Sequence, residues 1–348
     1  MKNFLRKFLN LRTAHSRAEK ISSILLPLQL LLLRIACWFK RRELVIIVLV
    51  EHFGDIVACE PVARYLKQNN PDCFLVWICR KPFVELIAYN PHVDRVIIVS
   101  CLNPWLRIRS LRIGHRQIDL HFNGRGCAIC RRPIQNCNGD SNINIKNYFE
   151  IGGLLKSFSL GAGLPALDET PQLYFPAGLE EKIQALHLPE KYLVFHCKAN
   201  ESTRDWLEEN WRQLQRLVFE EYGLPIIEVG LDSVLQGSQN NDGVINLCGK
   251  LNLLESALVI QQARLFVGID SGPAHLANAA QCPGVILLGH YRGFKNYVPY
   301  SGYYAADGVI LVRAENIKEL KISSVLKAID QQMDKKSLAR GRKRFGNV

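Results

Sequence analysis

The segment Phe266-Val267-Gly268-Ile269-Asp270-Ser271-Gly272-Pro273-Ala274-His275-Leu276-Ala277-Asn278-Ala279-Ala280 runs from an apolar stretch through a polar turn into a helical pattern of small residues. Ser271 can cap that helix, Gly272 allows close backbone approach, and Pro273 suits a first helical turn. The free N–H groups of such a helix start form a natural site for phosphate. The same residues also read as an ordinary helix cap with His275 satisfied inside the fold, and local chemistry leaves both readings open.

Two other segments place reactive side chains at the end of an apolar run. Leu44 to Val50 leads into Glu51-His52-Phe53-Gly54-Asp55-Ile56-Val57, with Pro61 following Asp55. A carboxylate there can act as a general base if it lies within hydrogen-bond reach of the nucleophile, or it can simply cap the helix it precedes. Phe195-His196-Cys197-Lys198-Ala199-Asn200-Glu201-Ser202-Thr203-Arg204-Asp205-Trp206 combines hydroxyls with cations, and Trp211 follows Glu208 and Glu209. A surface ion pair is the ordinary alternative for Arg204. Cys127-x-x-Cys130 and Cys137 are one ligand short of a closed zinc site, with His121 a candidate fourth. Arg125, Arg131, Arg132 and the polar residues around them read instead as an acceptor-contacting loop.

These groups need a scaffold, and the apolar runs supply one. Leu44 to Val50 reads as a strand buried on both faces, as in a parallel sheet. A helical pattern then runs to about Gln68, Asn69-Asn70-Pro71 stops it, and Phe74 to Ile78 is a second strand, completing a β-α-β unit. Val96 to Val99 and Ile118 to Phe122 extend the first sheet, and Asn123 to Asn147 reads as a long loop. A second series follows: Tyr192 to His196, a helix around Glu208 to Tyr222, Pro225 to Val229, Val244 to Leu247, Leu265 to Ile269 and Val285 to Leu288. The expected fold is α/β, two doubly wound Rossmann-like lobes facing a central cleft, with ligands at the carboxyl ends of the strands.

Charge is concentrated outside those lobes. Residues 1–42 hold ten Lys or Arg and one Glu, and the tail from Met333 adds six more basic residues against Asp334. The two arms carry +9 and +5 of the formal +12, leaving the body at −2, so a dedicated nucleic-acid groove is not expected. Ile21 to Phe39 is strongly apolar but broken by Pro27, Gln29 and Arg34, and basic residues follow it directly, unlike a cleaved signal. It reads as an amphipathic anchor in the cytoplasmic leaflet; a helix docked on the protein's own surface and a single span are the alternatives. The eleven cysteines form no regular framework, so a reducing compartment is expected. The expected division is a basic apolar arm over 1–42, an acceptor-side lobe over 43–175, a donor lobe over 176–332 and a basic tail over 333–348.

The stretch Asp270-Ser271-Gly272-Pro273-Ala274-His275, with the strand Val285 to Gly289, closely resembles the Asp-Ser/Thr-Gly-x-x-His signature of glycosyltransferase family 9, the lipopolysaccharide heptosyltransferase family. Gly54-Asp55 with Pro61, and the Ser/Thr, Arg and Trp pattern from Ser202 to Trp206, resemble two further family motifs, and the likeness runs in order from about residue 44 to 320. The resemblance implies a GT-B fold and inverting transfer of a sugar such as heptose from a nucleotide diphosphate donor to a lipopolysaccharide core or other membrane-held glycan, at the cytoplasmic face of the inner membrane. It implies that Ser271, Gly272 and His275 hold the donor diphosphate and Asp270 the sugar hydroxyls. Arg204, or else Lys198, would supply positive charge to the leaving group, with Ser202 and Thr203 adding hydrogen bonds. Glu228 would lie near the donor's ribose or base, and Asn123 and Arg125 on the acceptor side. Asp55 would be the general base, with His52 its rival, because Glu51-His52-Phe53 departs from the small polar residues usual there. No Asp-x-Asp metal motif is present, so no cofactor or catalytic metal is expected. A GT-B nucleotide-sugar epimerase and a non-catalytic sugar-nucleotide or membrane-binding adaptor are the alternatives.

Overall fold

β1 (Leu44–Val48) is buried at every position, as an unbroken Leu, Val and Ile run requires of a strand covered on both faces. In the computed structural model it lies inside a four-stranded parallel sheet with β2 (Phe74–Arg80), β3 (Arg95–Val99) and β4 (Arg116–Asp119), in the order β3-β2-β1-β4. The structure describes residues 2–134, 139, 142–235 and 243–345, with side chains described between 16 and 334; Cys137 falls outside the described residues. The chain divides into two units between Leu167 and Asp168, eight residues before the boundary expected at 175.

In the first unit the single helix expected after β1 is two, Phe53–Ala58 and Glu60–Asn69, meeting at Cys59. Cys59 leaves the helical region at φ −94° and ψ 5°, and Pro61 stands in the first turn of the second helix, where a missing N–H breaks no bond. The arm drawn over 1–42 is a helix, Lys2–Phe39, that belongs to this unit. Leu26, Leu30 and Cys37 are buried against Leu44, Ile46, Val99 and Trp105, so one face of the helix is docked on the protein. Ile21, Ile24, Leu28, Leu32, Ile35 and Trp38 remain exposed on it. With 3.6 residues per turn, the buried positions 26, 30 and 37 and this exposed set fall on opposite faces.

The second unit holds six parallel strands: β5 (Leu193–His196), β6 (Ile226–Glu228), β7 (Val244–Asn246), β8 (Leu265–Ile269), β9 (Gly284–Leu288) and β10 (Val309–Arg313). Their order is β10-β9-β8-β5-β6-β7, with β8 and β5 at the centre. β10, an edge strand of half-buried residues, is an addition to the elements expected from the sequence. The basic tail continues a helix, Ile322–Phe345, whose first part packs Val325 and Ile329 into the core.

Candidate active site

β8 ends at Ile269 and delivers Asp270 to a buried position, 4% exposed, just ahead of the helix Gly272–Ala279. There Asp270 is a hub. Arg204 Nη1 donates to its main-chain oxygen at 2.8 Å and to Oδ2 at 3.3 Å, Tyr297 donates to Oδ2 at 2.9 Å, and Tyr300 to Oδ1 at 3.2 Å. The Arg204 guanidinium also stacks over Tyr291 at 3.9 Å. Burial works against the Arg204 charge, but Asp270, with Tyr291 and Tyr297, outweighs it and holds the pKa above the ordinary value. Burial, and then Asp270, push the Tyr300 hydroxyl well up, so it stays a donor. Asp270 was expected on sugar hydroxyls; its oxygens are instead committed to fixing Arg204 and two tyrosines. The surface ion pair considered for Arg204 is likewise replaced by this largely buried one.

Ser271 occupies the N-cap position in extended conformation, yet its hydroxyl makes no capping bond. Its Oγ is buried without a hydrogen-bond partner among the described residues. Gly272 and Pro273 form the first turn of the helix, and His275 is buried one turn on, its ring 5.0 Å from that of Tyr300. The turn after β5 holds Ser202, Thr203 and Arg204; the first two are exposed and Lys198 is half-buried. Asp205 accepts from the Ala199 N–H at 2.8 Å and closes that loop.

Glu228 does not present its carboxylate to a ligand. It is fully buried and accepts from the Ser233 hydroxyl and from the N–H groups of Val234, at 2.7 Å, and Leu235. These bonds hold the loop after β6, where a donor contact was expected of Glu228. His121 is likewise not a metal ligand: its Nδ1 lies 2.7 Å from Asp119, and its Nε2 accepts from the Val50 N–H at 3.3 Å.

In the first unit Asp55 is the third residue of the helix Phe53–Ala58, and His52 is its N-cap. The Asp55 carboxylate accepts from the His52 N–H at 3.3 Å and pairs with Arg125 Nη1 at 2.8 Å. Burial, the largest influence, raises its pKa, but the charge and hydrogen bond of Arg125 and those of the adjacent His52 together outweigh it, and the carboxylate is held below its ordinary value. The result is a carboxylate ionised at neutral pH. Arg125, expected on the acceptor, is thus the counter-ion of Asp55, while Asn123 is fixed through its main chain, accepting from the Ile145 N–H at 3.0 Å. The His52 side chain is exposed.

The sequence pattern of glycosyltransferase family 9 (heptosyltransferase) matches residues 158–329, which include Arg204 and the Asp270 to His275 segment. The chain is a glycosyltransferase of the heptosyltransferase-like type. It is similar to lipopolysaccharide heptosyltransferase 3 of Escherichia coli K12, 19% identical over 278 residues, 69% of this chain and 80% of that protein. Lipopolysaccharide heptosyltransferase 1 of Pseudomonas aeruginosa is 23% identical over 284 residues, covering 70% and 78%. Among solved structures, the family 9 glycosyltransferase of Veillonella parvula superposes with a TM-score of 0.64 at 15% identity, covering 84% of this chain and 98% of that one. E. coli heptosyltransferase WaaC, solved with ADP, gives 0.56 at 17% identity over 83% and 99%, and it is also solved with ADP-2-deoxy-2-fluoro heptose. These superpositions place the chain's fold among GT-B enzymes.

The tyrosines escaped the sequence reading. Tyr291, Tyr297 and Tyr300 lie 21 to 30 residues beyond Asp270, in a stretch without a periodic pattern. The signal available was compositional: five of the eleven tyrosines fall between 291 and 304.

Proposed function

We propose that this glycosyltransferase moves a heptose, with inversion, from ADP-heptose to a lipopolysaccharide core on the cytoplasmic side of the inner membrane. The observation that carries the donor side is the pairing of a fixed cation with an uncommitted hydroxyl at one helix start. Arg204 is held by Asp270 and Tyr291, and Ser271 Oγ stands buried beside Asp270 without a hydrogen-bond partner among the described residues. Gly272 adds its backbone N–H at the positive end of the helix dipole. Such a start, with a guanidinium next to it, suits a diphosphate that gains charge as the sugar leaves. ADP and the ADP-heptose analogue held by solved WaaC, and the lipopolysaccharide heptosyltransferases among the relatives, support ADP-heptose and lipopolysaccharide. His275 and Lys198 complete the proposed donor contacts, with Ser202 and Thr203 reaching the outer phosphate.

On the acceptor side Asp55 is the proposed base. The acceptor hydroxyl oxygen attacks the anomeric carbon, the bond from that carbon to the phosphate oxygen breaks, ADP leaves, and the hydroxyl proton passes to Asp55. Arg125 keeps the carboxylate ionised and oriented between turnovers. Positive charge for the leaving group comes from Arg204 and the helix start, so the reaction needs no divalent ion at the diphosphate.

The N-terminal helix supplies the location. Its docked face holds it against the first unit, while Ile24, Leu28, Leu32 and Trp38 face outward and Arg17 and Lys20 are exposed nearby. An apolar face flanked by basic residues suits the anionic cytoplasmic leaflet, with the helix lying in its plane. The test is mass-spectrometric detection of one added heptose on a heptose-deficient core incubated with ADP-heptose and this protein. ADP-heptose binding without turnover on any such core would replace this reading with that of a sugar-nucleotide adaptor.

A further inference from the structure

We infer that His121, locked by Asp119, is a positioning residue for the proposed transfer, fixing the turn that carries His52 and Asp55; this rests on the reading of that turn as the seat of the general base. The sequence offered His121 only as a candidate zinc ligand. The folded sheet gives it another place, beside Val50 just past the carboxyl ends of β4 and β1.

β1 and β4 pair in register as far as Val48 opposite Asp119, and the Leu120 N–H then donates to Val48 O at 3.0 Å. Past that point an imidazole takes over from the main chain, because the Val50 N–H donates to His121 Nε2 at 3.3 Å. On the other side of the strand the Arg80 N–H donates to Val50 O at 3.3 Å. Val50 therefore keeps a partner on each side although β1 and β4 have ended. Two residues further on, His52 opens the helix Phe53–Ala58, and its N–H donates to the Asp55 carboxylate. The His121 bond thus sets where the chain leaves the sheet and where that helix begins.

The ring is held in one orientation. A main-chain N–H is a donor only, so Nε2 carries the lone pair and Nδ1 the proton. Nδ1 lies 2.7 Å from Asp119 Oδ1, which also accepts from the His121 N–H at 3.2 Å, while Trp105 Nε1 donates to Oδ2 at 2.9 Å. A carboxylate gripping one ring nitrogen decides which nitrogen the other side presents. Trp105 in turn shares the core with Leu26 and Leu30 of the N-terminal helix, so the grip is anchored in packed structure. Asp119 is 1% exposed and His121 2%. At that depth the imidazole reaches no substrate and acts only through the turn. Without it the buried Val50 N–H has no acceptor, and the chain must shift to find one.

The same strand supplies a comparison. At the amino end of β1 the Leu44 N–H donates to His115 Nδ1 at 2.8 Å, a bond of the same kind placed at the opposite end from the turn.

The test measures transfer from ADP-heptose to the heptose-deficient core, ADP affinity and a melting curve for three full-length variants. His121→Asn keeps a donor for Asp119 and drops the acceptor at the ε position, His121→Gln keeps that acceptor, and His115→Asn changes the comparison residue. A displaced reacting group costs up to about 10²-fold. His121→Asn should therefore lower kcat by about 10- to 100-fold with ADP affinity unchanged, His121→Gln should regain much of the loss, and His115→Asn should keep the wild-type kcat. Added to Asp55→Asn, His121→Asn should cost little more, since the turn then has no base to misplace. Imidazole nitrogen NMR of the wild-type protein should show His121, assigned by its absence from His121→Gln, protonated at Nδ1 and unprotonated at Nε2. Should both His121 variants fail to fold, the single histidine signal that shifts in Asp119→Asn assigns the ring, and its tautomer decides. Full turnover by Asp55→Asn alone would sink the base reading and leave His121 to be judged by kcat and the spectrum, because His52 rides on the same turn. Wild-type kcat in folded His121→Asn, an equal loss in His115→Asn, an undiminished further loss on Asp55→Asn, or a proton on His121 Nε2 would overturn the positioning role.

Discussion

Arg125 Nη1 lies 2.8 Å from Asp55 Oδ2, tying the loop after β4 to the first turn of the helix after β1. The pair explains much of how a largely buried carboxylate stays ionised, because the guanidinium, together with the adjacent His52, offsets the effect of burial. It also separates two roles that a sequence cannot separate. Asp55 accepts from the His52 N–H, as a capping residue does, and still has a charge partner that holds it ready for a proton.

We predict that Arg125→Met moves the acid limb of the pH–rate profile upward, because burial then acts on Asp55 without its counter-ion. The sign follows from linkage. A carboxylate whose folded pKa is depressed adds stability that is full above its unfolded value of 3.8 and is lost as pH falls through the folded one. Arg125→Met should therefore cost about 1.5–3 kcal/mol at neutral pH, narrowing below the ordinary carboxylate range. Urea melts at several pH values measure the stability. An unmoved acid limb would remove Asp55 from the proton transfer.

The Arg204 and Asp270 hub should fail in graded steps. Tyr297→Phe removes one hydroxyl donor and should cost about 0.5–1.5 kcal/mol with donor affinity little changed. Arg204→Ala should weaken ADP binding by more than tenfold, since it removes the fixed cation and leaves Asp270 buried with fewer partners. Calorimetric titration with ADP checks both. Unchanged ADP affinity in Arg204→Ala would move the diphosphate site away from this helix start.

The two faces of the N-terminal helix should behave differently. Leu30→Ala empties a fully buried position and should destabilise the first unit by about 2–5 kcal/mol. Combined serine replacements at Ile24, Leu28, Leu32 and Trp38, all exposed, should leave the melting temperature nearly unchanged while reducing sedimentation with anionic vesicles. The docked face also means that deleting residues 1–42 would uncover the first sheet's core. Full vesicle binding by the exposed-face variant would contradict the placement of the helix in the leaflet.

Most of the scaffold was legible because it is written in local pattern. β1, β5, β8 and β9 are continuous apolar runs, and the helix Glu208–Tyr222 carries a clear helical period. The edge strand β10 carries an equally apolar run, Val309-Ile310-Leu311-Val312, yet it is only half-buried in the folded unit, and it was not among the strands expected. The site was legible in its motifs and not in its pairings. Asp55 with Arg125 and Arg204 with Asp270 are separated by 70 and 66 residues, and only the folded sheets bring each pair together. Glu228 shows the converse. Its position at a strand end looked like a ligand contact, whereas its oxygens satisfy the N–H groups of the following loop.

Transfer is expected to proceed at the same rate with no added magnesium or manganese if, as proposed, Arg204 and the helix start supply the positive charge at the diphosphate. Initial rates with and without each ion decide this. A rate that appears only when magnesium is supplied would contradict it.

The most direct measurement is turnover by Asp55→Asn with ADP-heptose and a verified core acceptor, alongside ADP affinity and a melting curve. Asparagine keeps the size of the side chain and removes its basicity. Loss of the general base should lower kcat by ~10²- to 10⁴-fold, with ADP affinity nearly unchanged. Undiminished transfer of heptose by folded Asp55→Asn would contradict the assignment and pass the proton to His52.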